Sequence, residues 1–193
     1  MLRRSAVKVA LLSNVNVDFV LRLLSRNFDC IPSVGYGDVW GQLLNPNSSL
    51  NTAIPDVIVF IVDIEQLTDN SASPSKAVME WFAAFDTVIQ TGREYFVSDV
   101  MFRSAVITDN DSPGESETCR LWMSALQERL NAHANVHILR LNEAITRTGK
   151  ERFFSTKMWY MGKIPYTNEG CRIIASEITS NEADVQEVWD KNT

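Results

Sequence analysis

The sequence predicts an α/β protein in which helices cover both faces of a five-stranded parallel sheet, a three-layer α/β/α arrangement. Segments typical of strands alternate along the chain with segments typical of helices. Residues 57–62 form a continuous run of β-branched and aromatic side chains, which is typical of a central strand buried on both faces. Right-handed crossovers between parallel strands place the intervening helices on the two faces of such a sheet.

The predicted strands are short apolar runs that end at polar residues or turns, and they span residues 7–12, 29–34, 57–62, 102–108 and 136–141. The predicted helices carry apolar residues at helical spacing. They span residues 17–24, a short segment after Asp38, residues 75–90 after Pro74, residues 116–132, and a last helix from about Asn168. The third helix leaves a continuation to Phe96 open. Residues 1–193 are therefore interpreted as one domain, with a polar tail over about 180–193.

Composition excludes several classes of function. The net charge is −6 with no basic run, so the chain lacks the electrostatic signature of a nucleic-acid-binding protein. No apolar stretch approaches the roughly 20 residues that span a bilayer, and the amino terminus lacks the pattern of a secretion signal. Three widely spaced cysteines form no zinc motif and are typical of a reducing compartment. These observations predict a cytoplasmic protein that binds neither nucleic acid nor membranes.

The carboxyl ends of the strands form the predicted functional edge, because ligands of open α/β sheets bind there. The candidate residues at this edge are Ser13, Asn14, Gly35, Gly37, Asp63, Asp109 and Asn142.

Ser13 follows the first strand, where a nucleophile would project into the crevice above the sheet. The alternative is a helix cap, since serine and asparagine are favoured at that position. A serine nucleophile needs a base, and the two histidines of the chain, His133 and His137, fall at the opposite end of the fifth strand. The pattern therefore favours the capping role.

The glycines and aspartates also have two interpretations. Gly35 and Gly37 either form a tight turn or offer backbone N–H groups to an oxyanion. Asp63 and Asp109 either bind Mg²⁺ or act as acid and base, or they cap the following helices. No glycine-rich phosphate-binding motif is present.

Residues 157–167 form an unusual segment that combines three aromatic side chains, two lysines and a proline before the last helix. One interpretation is an aromatic plug that closes the edge of the domain. The other is a surface for a partner or an acidic ligand, in which Lys163 and Tyr166 contribute to binding.

Two segments carry a resemblance to a known family. The runs GYGDVWGQLLNPNSSL, before PDVIV, and WYMGKIPYT, before Gly170, resemble the amino-terminal SGNH-like domain of FkbH-like proteins. This resemblance covers most of the chain and implies a fold like that of SGNH hydrolases and flavodoxin. In that family the domain precedes a HAD-type (subfamily IIIC) domain, which binds Mg²⁺ and performs phosphoryl chemistry. The amino-terminal domain is thus expected to hold no cofactor, and the polar tail is interpreted as a linker to an absent HAD-type domain.

The SGNH catalytic pattern is incomplete in this chain. Ser13 matches the nucleophile of the family, and Gly35 or Gly37 matches the oxyanion glycine. The expected asparagine falls near Asp63, and the expected aspartate and histidine fall on Gly162 and Pro165. Lys163 is an alternative base if burial lowers its pKa.

Three functions follow as hypotheses. The resemblance implies a domain that assists transfer of an acyl or phosphoglyceryl unit to an acyl carrier protein, in polyketide or polysaccharide biosynthesis, without Ser-His esterase activity. The second hypothesis is a hydrolase or acyltransferase that uses Ser13, and the third is a module for interaction alone.

Overall fold

The computed structural model describes residues 7–32, 37–68, 71, 73–89, 92–99 and 113–181, with the side chains of 113–116 excepted. The described strands are β1 (Lys8–Ser13), β2 (Asp29–Cys30), β3 (Val57–Ile61), β4 (Glu94–Ser98) and β5 (Val136–Leu139). They form one sheet in the order β2-β1-β3-β4-β5, and every pairing is parallel. The predicted fold class is confirmed.

The helices among the described residues are α1 (Asp18–Leu24), α2 (Val39–Leu44), α3 (Ser49–Ala53), α4 (Ile64–Thr68), α5 (Pro74–Val88), α6 (Pro113–Ala132), α7 (Leu141–Thr148), α8 (Lys150–Phe153), α9 (Thr156–Gly162) and α10 (Asn168–Ser180). The sequence did not predict α3, α4, α7, α8 or α9. Among the described residues, no helix has the length and apolar character to cross a membrane.

Alternation of side chains along the strands divides the core into two parts. In β3, Val57, Val59 and Ile61 pack with α1, α7, α8 and α10 on one face of the sheet. Ile58 and Phe60 pack with α2 to α6 on the other face. All five residues of β3 are buried, as expected of a central parallel strand.

Several predicted boundaries differ from the structure. The helix after Pro74 ends at Val88, and the continuation to Phe96 that the sequence left open does not occur, because Phe96 lies in β4. The second strand, predicted over 29–34, ends at Cys30. The predicted strand over 102–108 lies outside the described residues, and β4 is the strand that pairs between β3 and β5. The fifth strand ends at Leu139, so Asn142 lies in the first turn of α7 and not at a strand end.

Candidate functional site

The carboxyl ends of the strands bring together a set of polar residues, which we call the strand-end cluster: Ser13, Asn14, Asp63, Ser98 and Asp99. Ser13 pairs with Ile61 across β1 and β3, and Ser98 pairs with Leu139 across β4 and β5. The parallel register therefore aligns these strand ends at one edge of the sheet, as the sequence predicted for Ser13, Asn14 and Asp63.

The Ser13 hydroxyl is engaged by backbone groups. Its Oγ donates to the carbonyl oxygen of Ile61 at 2.7 Å and accepts from the N–H of Val15 at 3.2 Å. The residue is only 5 % exposed. These contacts link β1 to β3 and stabilise the turn after β1, so the described geometry favours a structural hydroxyl over a nucleophile.

Asn14 continues the pairing of β1 with β3 by one residue through its side chain. Its Nδ2 donates to the carbonyl oxygen of Asp63 at 2.7 Å, and its Oδ1 accepts from the Asp63 N–H at 2.9 Å. The buried Asp63 carboxylate in turn accepts from the N–H of Gln66 at 2.8 Å, at the start of α4. Both side chains thus hold the backbone at the end of β3.

Ser98 and Asp99 belong to this cluster, and the sequence analysis did not identify them because it placed the fourth strand too late in the chain. Ser98 Oγ accepts from the N–H of Val62 at 3.0 Å, on the opposite side of β3 from Ser13. Asp99 is the carboxylate that follows β4, in the position that the sequence assigned to Asp109. A polar pair directly after the apolar run Tyr95 to Val97 was the available signal.

Asp99 is a buried carboxylate with an altered pKa. Its Oδ1 accepts from the N–H of Asn142 at 2.9 Å, so the side chain caps the start of α7. Burial raises its pKa to about 6, although the backbone N–H groups of Asn142 and Leu141 and the charge of Arg140 act in the opposite direction. The carboxyl group therefore changes protonation state near neutral pH.

Of the candidates Gly35, Gly37 and Asp109, the structure describes Gly37. Gly35 and Asp109 lie outside the described residues. The N–H of Gly37 donates to the carbonyl oxygen of Ser13 at 3.2 Å, with φ at +94°. Gly37 therefore lies beside the strand-end cluster in a conformation that favours glycine, which is consistent with the predicted turn.

Lys163 and Tyr166 separate in the structure. Lys163 is exposed at the end of α9, where its Nζ lies 4.1 Å from the ring centroid of Trp159. Its carbonyl oxygen accepts from the N–H of Asn16 at 3.0 Å, which places this end of α9 next to the turn after β1. Tyr166 is fully buried and packs edge-to-face against Phe153 and at a tilt against Phe154, so it belongs to the core and not to a ligand-binding surface.

The residues of the PYT segment and Gly170 have structural roles. Thr167 caps α10 by accepting from the N–H of Gly170 at 2.9 Å. A Cβ atom at Gly170 would lie 2.3 Å from the carbonyl oxygen of Phe153, so only glycine allows this approach of α10 to α8. This part of the resemblance reflects packing.

The NPNSSL segment also has a structural explanation. Ser48 caps α3, accepting from the N–H of Asn51 at 3.0 Å. The Asn51 Nδ2 donates to the carbonyl oxygens of Leu43 and Asn45, both at 2.9 Å, at the end of α2. The segment therefore fixes α2 against α3.

Neither histidine can reach Ser13. His137 lies in β5 and Ser13 in β1, which gives a backbone separation of about 16 Å from three strand spacings of about 4.8 Å and two residues of rise. Its Nε2 lies 2.7 Å from Glu94 Oε2. His133 follows α6 at the amino end of β5, on the far edge of the sheet. A Ser-His pair is therefore absent, because the chain has only these two histidines.

Other reactive groups do not replace that pair. Burial, with the charge of Asp29 beside Cys30, raises the pKa of the Cys30 thiol to about 11, and burial raises the pKa of Cys171 to about 11. Both are protonated at neutral pH and are weak nucleophiles. Within the described part of the chain, no group of three or more His, Cys, Asp or Glu side chains is placed to hold a metal ion.

Comparison with solved structures identifies the fold. The chain is similar to the N-terminal part of BF1531 from Bacteroides fragilis, which contains a phosphatase domain complexed with Mg, with a TM-score of 0.78 and 18% identity. The match covers 94% of this chain and 53% of the other, so the chain spans about half of that structure. No protein-family model matches the sequence, and no curated protein matches it significantly.

More distant structures share the same architecture. The C-terminal catalytic domain of peptidoglycan O-acetyltransferase A from Streptococcus pneumoniae gives a TM-score of 0.55 at 13% identity, covering 95% of this chain and 96% of that one. An SGNH hydrolase, described as putative, from Slackia heliotrinireducens gives 0.51 at 11% identity, covering 91% and 98%. The chain therefore shares its three-layer α/β fold with SGNH hydrolases and with the N-terminal part of BF1531, as the sequence predicted.

Proposed function

We propose that this chain is the SGNH-like domain of an FkbH-like protein, and that it assists transfer of an acyl or phosphoglyceryl unit to an acyl carrier protein without Ser-His hydrolysis. One observation carries the non-hydrolytic part of the proposal. The Ser13 hydroxyl is bound to the backbone of β3, and both histidines lie beyond its reach. A serine that has lost its base loses several orders of magnitude in rate.

The likeness to the BF1531 structure supports the proposed association with a HAD-type domain. The match covers 53% of that structure, which contains a phosphatase domain. In the proposal, a HAD-type domain supplies the phosphoryl chemistry and its Mg²⁺, and the SGNH-like domain positions the carrier protein beside it. The polar tail from about residue 180 links the two domains.

An exposed apolar pair on α9 is the proposed docking surface for the carrier. Tyr160 is 83% exposed and Met161 is 77% exposed, and they are the most exposed large apolar side chains that the structure describes. Lys157 and Lys163 are exposed on the same segment, which gives an apolar surface with positive charge on an otherwise acidic chain. Lys163 also contacts the turn after β1, so a carrier bound here would lie next to the strand-end cluster.

Carrier binding tests this proposal directly. The acyl carrier proteins of the source organism, purified with their phosphopantetheine arms, are titrated against the chain by calorimetry. We expect one of them to bind, and we expect the double variant Tyr160→Ala/Met161→Ala to weaken binding by about tenfold or more, since aromatic anchors dominate such interfaces. Met79→Ala, which truncates an exposed methionine on α5, is the matched control and should leave binding unchanged. Absence of binding by any carrier, or equal binding by the double variant, would contradict the docking role.

The alternative function is a hydrolase or acyltransferase that uses Ser13, and the likeness to the O-acetyltransferase domain favours testing it. That domain was solved with a methylsulfonyl adduct. Treatment of this chain with a sulfonyl fluoride, followed by mass spectrometry, should leave Ser13 unmodified, because its hydroxyl is buried and has no base. Hydrolysis of p-nitrophenyl acetate should likewise be equal for the wild type and Ser13→Ala. Labelling of Ser13, or turnover that disappears in the variant, would establish the alternative.

A further inference from the structure

In the part of the chain that the structure describes, the outer edge of β5 has no partner strand. β5 is the last strand in the sheet order. The N–H of Tyr95 donates to the carbonyl oxygen of Asn135, and the N–H of Asp99 donates to that of Leu139. Because alternate residues of a parallel strand bond to the same neighbour, the N–H and C=O groups of Ile138 point away from β4.

A groove of about 420 Å³ follows this edge. Its wall residues include Leu130 of α6, His137 and Ile138 of β5, and Glu177 of α10. Helices on both faces of the sheet therefore flank the strand, which leaves room for one extended chain and hinders the approach of a second folded copy. β5 has four residues, a length of about 13 Å, so an occupant of about four residues would match it.

Two pairs of contacts order part of the groove. The imidazole of His137 stacks on Phe96, with ring centroids 4.8 Å apart, and its Nε2 lies 2.7 Å from Glu94 Oε2. Arg147 forms an ion pair with Glu177 at 2.8 Å. The groove thus offers an aromatic surface and an ion pair beside β5.

Arg140 places a positive charge at one end of the groove. It is exposed at the end of β5, and its guanidinium makes no ion pair or hydrogen bond with the rest of the described chain, although its charge acts on Asp99. Glu143, the other lining charge outside the ion pair, lies in the first turn of α7, where the helix end stabilises a carboxylate. An acidic group is therefore the complementary partner for this end of the groove.

From these features we infer that the open edge of β5 binds an extended peptide segment of about four residues with an acidic side chain, which adds to the sheet as a sixth strand. Backbone hydrogen bonds to Ile138 supply affinity, and Arg140 selects the acidic side chain. This inference does not rest on the proposed carrier transfer, although Arg140 also lies close enough to Asp99 for its charge to act on that carboxylate.

Fluorescein-labelled peptides with alternating valine and glutamate test the inference by anisotropy. A second peptide replaces glutamate with lysine, and a third carries N-methyl groups on alternate backbone nitrogens. We expect the lysine and N-methyl peptides to bind at least about tenfold more weakly than the first. Deuterium exchange at the Ile138 amide should slow when the first peptide binds. No binding by the first peptide up to about 1 mM, or equal binding by the N-methyl peptide, would overturn the inference.

Variants of the chain separate the contribution of the Arg140 charge from that of the Ile138 backbone. Arg140→Glu should weaken the glutamate peptide about tenfold or more, and Arg22→Glu, which reverses an exposed charge on α1, should have no effect. Ile138→Pro removes the outward N–H without removing a hydrogen bond to β4, and it should weaken binding similarly. If that variant fails to fold, the N-methyl peptide gives the same comparison from the side of the ligand. Dimers of the chain that Arg140→Glu or Ile138→Pro abolishes would show instead that a second copy occupies the edge, which contradicts the inference.

Discussion

Ser13 and Ser98 end the two strands that flank β3, and both hydroxyls bond to the backbone at the end of β3 from opposite sides. One hydroxyl donates to the carbonyl of Ile61, and the other accepts from the N–H of Val62, where the hydrogen-bonding ladder of β3 stops. The sequence placed Ser13, Asn14 and Asp63 at one edge because apolar runs end there. It did not reveal that their polar atoms bond to neighbouring strands, because those partners lie about 50 residues away in the chain.

Asp99 gives the folded protein a pH dependence that the variant Asp99→Asn should remove. Burial raises its pKa from 3.8 to about 6, so the folded chain binds this proton more tightly than the unfolded chain does. The contribution to stability is therefore fully present below pH 4 and is lost as the pH rises through about 6. The shift corresponds to about 3 kcal/mol.

Urea unfolding of the wild type and Asp99→Asn at a series of pH values measures this contribution. The free energy of unfolding of the variant, relative to the wild type, should rise by about 2 kcal/mol between pH 4 and pH 7. Both side chains can accept the hydrogen bond from the N–H of Asn142, so the cap of α7 is retained. A difference between the two proteins that stays constant over this range would show that Asp99 has an ordinary pKa.

Boundaries of elements were the weakest part of the sequence-based prediction, and β4 shows why. Val88 in α5 and Tyr95 in β4 are separated by about two helical turns, so helical periodicity continues past the true end of α5. Gly92, with φ at +86°, marks the break between them. Elements as short as α3, α4 and α8 have too few turns to show a period, and the sequence analysis accordingly missed them.

The contact between α8 and α10 depends on Gly170. Its Cα faces the carbonyl of Phe153, and a methyl group there would overlap that oxygen at 2.3 Å. Backbone cannot move away as a flexible side chain would, since the same carbonyl accepts from the N–H of Thr167 at 2.9 Å. Gly170→Ala should therefore lower the free energy of unfolding by about 3 kcal/mol, measured by chemical denaturation.

Gly162→Ala is the matched control for this substitution. A Cβ atom at Gly162 would meet nothing nearer than Ile164 Cδ1 at 3.6 Å, an ordinary contact. The same change at the end of α9 should leave stability unchanged or raise it slightly, because alanine favours helices. Equal effects of the two substitutions would indicate that α10 shifts to accommodate the added methyl group.

At the level of the whole chain, residues of the motifs that carried the family resemblance have structural roles in packing and in helix contacts. The sequence could therefore predict the fold without identifying the chemistry. Asn51 ties α2 to α3, and Tyr166 fills the core beside α8. Such residues preserve an architecture across proteins of different activity. The open edge of β5 had no signal in the sequence, since nothing in a four-residue run of alternating burial shows which side lacks a neighbour.

The parallel layout of the sheet also bears on how the chain acquires its structure. β1 lies between β2 and β3, and Ser13 pairs with Ile61, which lies 48 positions later in the chain. Because the strand pairs of the described sheet are all parallel, none of them can form as a β-hairpin. Each pairing requires closure of a long loop before its contacts stabilise the structure. We therefore expect folding to be slow for a domain of this size. The apolar strand β1 also leaves the ribosome well before its partner β3, so we expect chaperones to bind the chain during synthesis.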